Sequence, residues 1–149
     1  MKVKSVDIKI LKHLQEDSRK PFRKIATELK ISEPTLYNRV KKLQEEMVIE
    51  SFTTIINPDA VGFPYLAFIM LTVEPSKEEE IINNLSSFPE IMELHLLFGE
   101  KNILLKVRSQ DIGSIRKFIT NKLRSNHGIL RIETYLSMKT EKETHMIPI

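Results

Sequence analysis

Apolar positions recur with helical spacing three times before residue 47, and with strand-like spacing over much of the chain beyond it. In Ser5 to Asp17, Val6, Ile8, Ile10, Leu11 and Leu14 largely follow i, i+3, i+4, predicting a first helix with Ser5 or Asp7 as its cap. Phe22, Ile25, Ala26 and Leu29 predict a second that starts at Pro21 and ends near Lys30. Ser32 is an N-cap for a third, with Pro34 in its first turn. Leu36, Val40 and Leu43 recur there at i, i+4 and i+7, a narrow apolar stripe that leaves Pro34, Asn38, Lys41 and Glu45 on the opposite side. Two short helices parted only by the residues around Lys30 to Ser32 read as a helix-turn-helix.

The pattern then turns extended. Val48 to Ile56 is rich in β-branched residues and reads as a strand, the wing of a winged helix-turn-helix. Asn57 to Pro64 holds two prolines and a glycine and marks a boundary. The expected organisation is a winged helix-turn-helix over 1–56, a linker over 57–64 and a second domain over 65–149. Within the second, Tyr65 to Val73 is an almost unbroken apolar run that fits a strand buried on both faces. Pro75 to Phe88 reads as a helix with three glutamates in its first turn. Ile91 to Phe98 alternates as a strand, with Met92, Leu94, Leu96 and Phe98 on one side. A turn over Gly99 to Asn102 returns the chain through Ile103 to Val107. Asp111 to Arg124 is helical on its Ile112, Ile115, Ile119, Leu123 face, and Ile129 to Met138 is the last strand. The order βαββαβ predicts an α+β fold: a four-stranded antiparallel sheet with both helices on one face, the ferredoxin-like arrangement. Its other face would be bare while the first strand is apolar on both sides, so a homodimer is expected.

Composition narrows the chemistry. The 149 residues contain no cysteine, which removes disulfides and thiolate metal sites, and the four histidines are scattered. No Gly-rich phosphate loop and no Ser/His/Asp arrangement stands in a convincing context, so no catalytic residue, metal or cofactor is expected. No apolar run is long enough to span a membrane and the start does not read as a signal peptide, so the expected location is the cytoplasm.

Charge distribution brings in a partner. The net charge is +3, yet Arg19 to Lys42 carries eight cations against Glu28 and Glu33. Such an excess on a helix-turn-helix suits a polyanion; a solvated basic face is the other reading of charge taken alone. The third helix offers side chains that can bond base edges or neutralise phosphates in a major groove. The candidates for double-stranded DNA are Arg23, Lys24, Ser32, Glu33, Pro34, Thr35, Tyr37, Asn38, Lys41 and Lys42. An ordinary surface helix is the competing reading; the combination of three helices, tight turn, cap and cations favours DNA. A dimer would direct two such motifs to a roughly palindromic site.

The ordered motifs resemble the Lrp/AsnC, or feast/famine, family of transcriptional regulators along nearly the whole chain. Asp7, Ile10-Leu11, Leu14-Gln15 and Arg19 are similar to its opening pattern, and Ile25-Ala26, Leu29 and Ile31-Ser32 to its second helix and turn. Arg39-Val40, Leu43 and Val48-Ile49 resemble its recognition helix and wing, Asn57-Pro58 and Gly62 its linker, and Glu93, His95-Leu96 and Gly99 its sheet motif. The resemblance implies DNA binding, dimers that join further, commonly to an octamer, and an amino-acid or related metabolite effector held between sensing domains. It maps the effector loop onto Leu97, Phe98, Gly99, Glu100, Lys101 and Asn102, through Ile103, and a pocket-lining strand end onto Thr134 to Ser137, including Leu136.

This chain departs from the family's Gly-Asp-aromatic-Asp loop, reading Gly99-Glu100-Lys101-Asn102. An uncharged Asn102 would weaken binding of an amino-acid ammonium, since a buried cation without a partner is costly. Lys101 reads either as a contact for an acidic ligand or as a solvated turn lysine, and His95 either as a pH-sensitive dimer contact or as structural. A ligand-independent architectural DNA-binding protein is thus the alternative to a metabolite-responsive regulator.

Overall fold

The computed structural model describes residues 3–149, which divide into two compact units. The first runs to Ile55 and also takes in Glu143–Ile149; the second is Ile56–Lys142.

Three helices build the first unit: α1 (Ser5–Glu16), α2 (Phe22–Leu29) and α3 (Glu33–Glu45). Their apolar stripes meet in a core of Ile10, Leu14, Ile25, Ala26, Leu36 and Val40, with Phe22, Leu29, Ile31 and Ile49 packed around it. The cap of α1 is Lys4, not Ser5 or Asp7 as expected. Asp7 instead reaches back from the first turn and accepts the Lys4 backbone N–H at 3.2 Å, satisfying a donor that the helix leaves without a partner. Helix α2 ends on Lys30, whose left-handed backbone (φ +55°) turns the chain towards α3 within two residues.

One expectation for this unit is corrected. Residues 50–56 form no strand, so there is no wing within one chain: an extended segment needs a partner for its ladder, and no strand pairs with it among the described residues. The N–H groups of Val48 and Ile49 instead turn back to the Leu43 carbonyl, at 2.8 and 3.0 Å. Glu143–Ile149, expected with the second domain, group in space with the helices, where the Gln15 carboxamide accepts the Ile147 N–H at 2.7 Å and donates to its carbonyl at 3.2 Å.

The second unit is the ferredoxin-like βαββαβ sandwich: β1 (Tyr65–Val73), α4 (Glu78–Leu85), β2 (Ile91–Leu96), β3 (Ile103–Ser109), α5 (Ile112–Phe118) and β4 (Ile129–Leu136). All pairings are antiparallel, in the order β2-β3-β1-β4. Ile69, Leu71 and Val73 join Ile103, Leu105 and Val107 against Ile81, Leu85, Phe118 and Leu123 from the helical layer.

Departures from the expected alternation have local causes. The register shifts between Ile91 and Glu93, so Ile91 and Leu94 both pack on the core while Met92 lies exposed. A second shift between Thr72 and Val73 does the same for Ile129 and Ile132 and exposes Leu130. Helix α5 widens into a π turn over Ile119–Leu123, so Leu123 enters the core five residues after Phe118, while Ile112 in the first turn stays exposed. Strand β1 is buried mainly on its helix-facing side: on the other face Leu66 is buried, whereas Phe68, Met70 and Thr72 are half-buried or exposed. That face is amphipathic rather than bare and apolar, since Glu93 pairs there with Lys106 at 2.7 Å and His95 at 3.2 Å, and Glu133 with Arg131 at 2.9 Å.

Candidate nucleic-acid interface and effector loop

Helix α3 is set by its two ends and its stripe. The Ser32 hydroxyl accepts the Thr35 N–H at 3.2 Å and shares a 2.7 Å hydrogen bond with the Thr35 hydroxyl, so these oxygens are occupied in starting the helix. Leu36, Val40 and Leu43 are buried, which turns Pro34, Asn38, Lys41 and Glu45 outward and leaves Tyr37 59% exposed. Lys41 and Lys42 make only loose pairs with Glu45 and Glu46, at 3.7 and 3.6 Å, and both side chains are more than 60% exposed. Such exposed i,i+4 pairs contribute a few tenths of a kcal/mol, roughly 0.3–0.5, and yield readily to a phosphate. Arg23 and Lys24 lie exposed on the first turn of α2, and Glu33 on that of α3.

Not all the basic excess is available. Lys20 donates to Glu28 at 2.6 Å, with His13 alongside, and this hydrogen bond above all holds the Glu28 carboxyl below its usual pKa. Arg39 donates to Asp7 at 2.8 Å and ties α3 to α1. Neither Asp7 nor Arg39 stood among the residues assigned to DNA from sequence, and nothing in local spacing joins positions 32 apart. The surface left for a ligand is therefore chiefly the outer side of α3, its first turn and the start of α2, with the remaining N–H groups of the partly exposed Arg39 at its edge.

In the second unit the loop between β2 and β3 is closed by the Leu97 N–H donating to the Asn102 carbonyl at 2.8 Å. The Asn102 side chain accepts the Val73 N–H at 3.1 Å and donates to Glu78 at 2.7 Å, so it ties the loop to β1 and to the start of α4. The Lys101 ammonium is about a third exposed and is not free: it pairs with Glu133, which also accepts the Tyr135 hydroxyl at 2.7 Å. Lys101 chiefly, and then Tyr135, hold the Glu133 carboxyl below its usual pKa, and Glu133 raises that of Lys101. Arg131 takes the second Glu133 oxygen and lies 3.9 Å from Glu100. Phe98 is fully exposed.

The expected loop residues are thus gathered with Arg131, Glu133 and Tyr135. Thr134 and Leu136, expected beside them, pair with Ile69 and Ala67 along β4 and make no contact with the loop among the described bonds. Alternation would have placed Arg131, Glu133 and Tyr135 on one face, but it carries no information about which loop reaches them. Among the described residues no cluster of His, Asp or Glu could hold a metal, and no helix is long and apolar enough to cross a membrane.

A helix-turn-helix with an exposed cationic helix, followed by a ferredoxin-like sheet domain, defines a DNA-binding regulator with a separate second module. The family models agree in both parts: the AsnC-type helix-turn-helix domain matches residues 5–44, and the Lrp/AsnC ligand binding domain matches residues 66–147. The chain belongs to the Lrp/AsnC family of transcriptional regulators. It is 36% identical over 144 residues to the HTH-type transcriptional regulator FL11 of Pyrococcus horikoshii, covering 97% of this chain and 95% of that one. It is 31% identical over 146 residues to the transcriptional regulator AzlB of Bacillus subtilis, covering 96% and 93%. Among solved structures, a transcriptional regulator of Neisseria meningitidis in complex with L-Met superposes with a TM-score of 0.92 at 24% identity, covering 99% of this chain and 97% of that one, which attests the fold.

Proposed function

We propose that this regulator binds DNA sequence-specifically, as a homodimer or a larger assembly up to an octamer, through the outer face of α3. The observation that carries the reading is the division of that helix, with Leu36, Val40 and Leu43 buried on one side and Asn38, Lys41 and the Tyr37 ring presented on the other. Asn38 is suited to pair bidentately with an adenine edge, Tyr37 and Thr35 to add polar or methyl contacts, and Arg23, Lys24, Lys41 and Lys42 to neutralise phosphates. Ser32, Glu33 and Pro34 shape the helix start that enters the groove. A dimer would read a roughly palindromic site.

The test is fluorescence anisotropy of the full chain on genomic duplexes over a range of salt. Lys41→Ala with Lys42→Ala should weaken binding far more than Lys139→Ala with Lys142→Ala; equal losses would reject α3 as the DNA surface.

An amino acid or related metabolite as effector is supported by the match to the family's ligand-binding domain. The neighbour solved with L-Met shows such a ligand in a protein of this fold. A second reading, of DNA binding without an effector, is favoured by the internal pairing of Lys101 with Glu133 and by the structural use of Asn102, which leave the loop with Glu100 as its acid, exposed and 3.9 Å from Arg131. Thermal shift against a panel of amino acids and keto acids separates the two: a shift for any compound supports an effector, and none supports the ligand-independent protein.

A further inference from the structure

Beside α3, between its flank and the first turn of α1, lies a groove of about 510 Å³. Thr35, Asn38 and Lys42 line it from α3 and Lys4 from the start of α1, with Asp7 and Arg39 also in its wall. It is continuous with the surface assigned above to DNA, and the inference drawn from it rests on that assignment. We propose that this groove seats a backbone phosphate of the bound DNA, with Lys4 and Lys42 as its cations and the unused N–H groups of Arg39 as further donors.

The charges around the groove are arranged for this. Its lining holds three cations, Lys4, Arg39 and Lys42, against two carboxylates, Asp7 and Glu46. Asp7 is 8% exposed and already accepts Arg39 and the Lys4 N–H, so its charge is neutralised inside the fold rather than offered to a ligand. Arg39 uses one of its five donors on Asp7 and is still about a third exposed. The Lys42–Glu46 pair at 3.6 Å is solvated and exchangeable. The Lys4 ammonium makes no ion pair among the described residues, although a long cationic side chain beside two carboxylates could have taken one. Thr35 and Asn38 share this wall with α3's reading face, so a phosphate held here flanks the bases that Asn38 faces. A helix-turn-helix needs such backbone contacts to fix its register, because base contacts alone do not set it.

The experiment uses the full chain with two probes: a duplex selected from random sequence by the protein itself, and a scrambled duplex of the same length and composition. Anisotropy titrations over salt give the slope of log K against log salt, whose magnitude drops by about 0.9 for each phosphate that is no longer neutralised. Lys4→Ala should weaken binding to both probes by the same factor and lower the slope by about 1 per DNA-bound subunit, with Lys4→Arg restoring it. Lys12→Ala, elsewhere on the exposed side of α1, should leave the slope unchanged. An unchanged slope for Lys4→Ala overturns the proposal. Asn38→Ala separates this from the underlying reading, since it should abolish preference for the selected duplex with little change in slope. If Asn38→Ala behaves so and Lys4→Ala does nothing, the groove is not a phosphate seat; if neither does anything, α3 is not the DNA surface.

Discussion

Asp7→Ala removes a nearly buried carboxylate that performs two jobs at once, and its cost can be worked out from the two bonds it makes. The first is the back-bond from the Lys4 N–H at 3.2 Å, equivalent to a helix cap and worth about 1 kcal/mol. The second is the charge-assisted bond from Arg39 at 2.8 Å, which a buried pair would value at about 1.5–3 kcal/mol. Arg39 is 31% exposed, so water recovers part of that and the lower end applies. The expected loss is therefore about 2–3 kcal/mol for the helical unit, which in a domain of this size moves Tm by roughly 10–20 °C. Asp7→Asn keeps an acceptor for the Lys4 N–H and should lose about half as much. The assay is thermal melting followed by circular dichroism at 222 nm, with Arg39→Met and the double variant completing a cycle for the coupling between α1 and α3. A loss below about 0.5 kcal/mol for Asp7→Ala, or additive single effects in the cycle, would refute the view that this pair holds the recognition helix.

Three further outcomes are expected of the same structure. The carboxyls of Glu93, held down first by Lys106 and then by His95, and of Glu133, held down first by Lys101, lie below the usual 4.5 when folded and return to it on unfolding. Their stabilisation is thus present above about pH 4.5 and lost as pH falls through the folded values, so Glu93→Gln and Glu133→Gln should flatten the acid limb of a stability–pH curve; an unchanged acid limb in both refutes the pairing. Lys30→Gly relieves a left-handed residue between α2 and α3 and should stabilise by about 0.5–1 kcal/mol in urea melts, with any destabilisation counting against the φ of +55°. Lys101→Met removes the ammonium from one Glu133 oxygen, leaving Arg131 on the other, and opens that oxygen to an ammonium from outside, so it should enlarge any thermal shift by amino acids; a smaller shift would show that Lys101 itself contacts the ligand.

The legible parts share one property: they depend on neighbours within a few residues. The Ser32 cap, Pro34 in the first turn and the Leu36, Val40, Leu43 stripe were readable because a helix writes its buried face into its own period. The βαββαβ order was readable because short antiparallel connections leave few other topologies. Strand alternation failed at Met92 and Leu130, where one extra residue in the ladder flips which side chains face the core, and no local pattern announces a bulge.

The amino-acid sequence by itself determined a helix-turn-helix ahead of a ferredoxin-like domain, the cationic character of α3 and membership of the Lrp/AsnC family, since local periodicity and ordered motifs carry all three. Only the tertiary structure decided which charges are available. It joined Asp7 to Arg39 and Lys101 to Glu133, each 32 residues apart, and set Lys4 beside α3. It also returned Glu143–Ile149 to α1 and withheld a strand from residues 50–56. Ion pairs and ladder bonds form between groups that folding brings together, and their energies depend on distance in space and on burial, neither of which is a property of position along the chain.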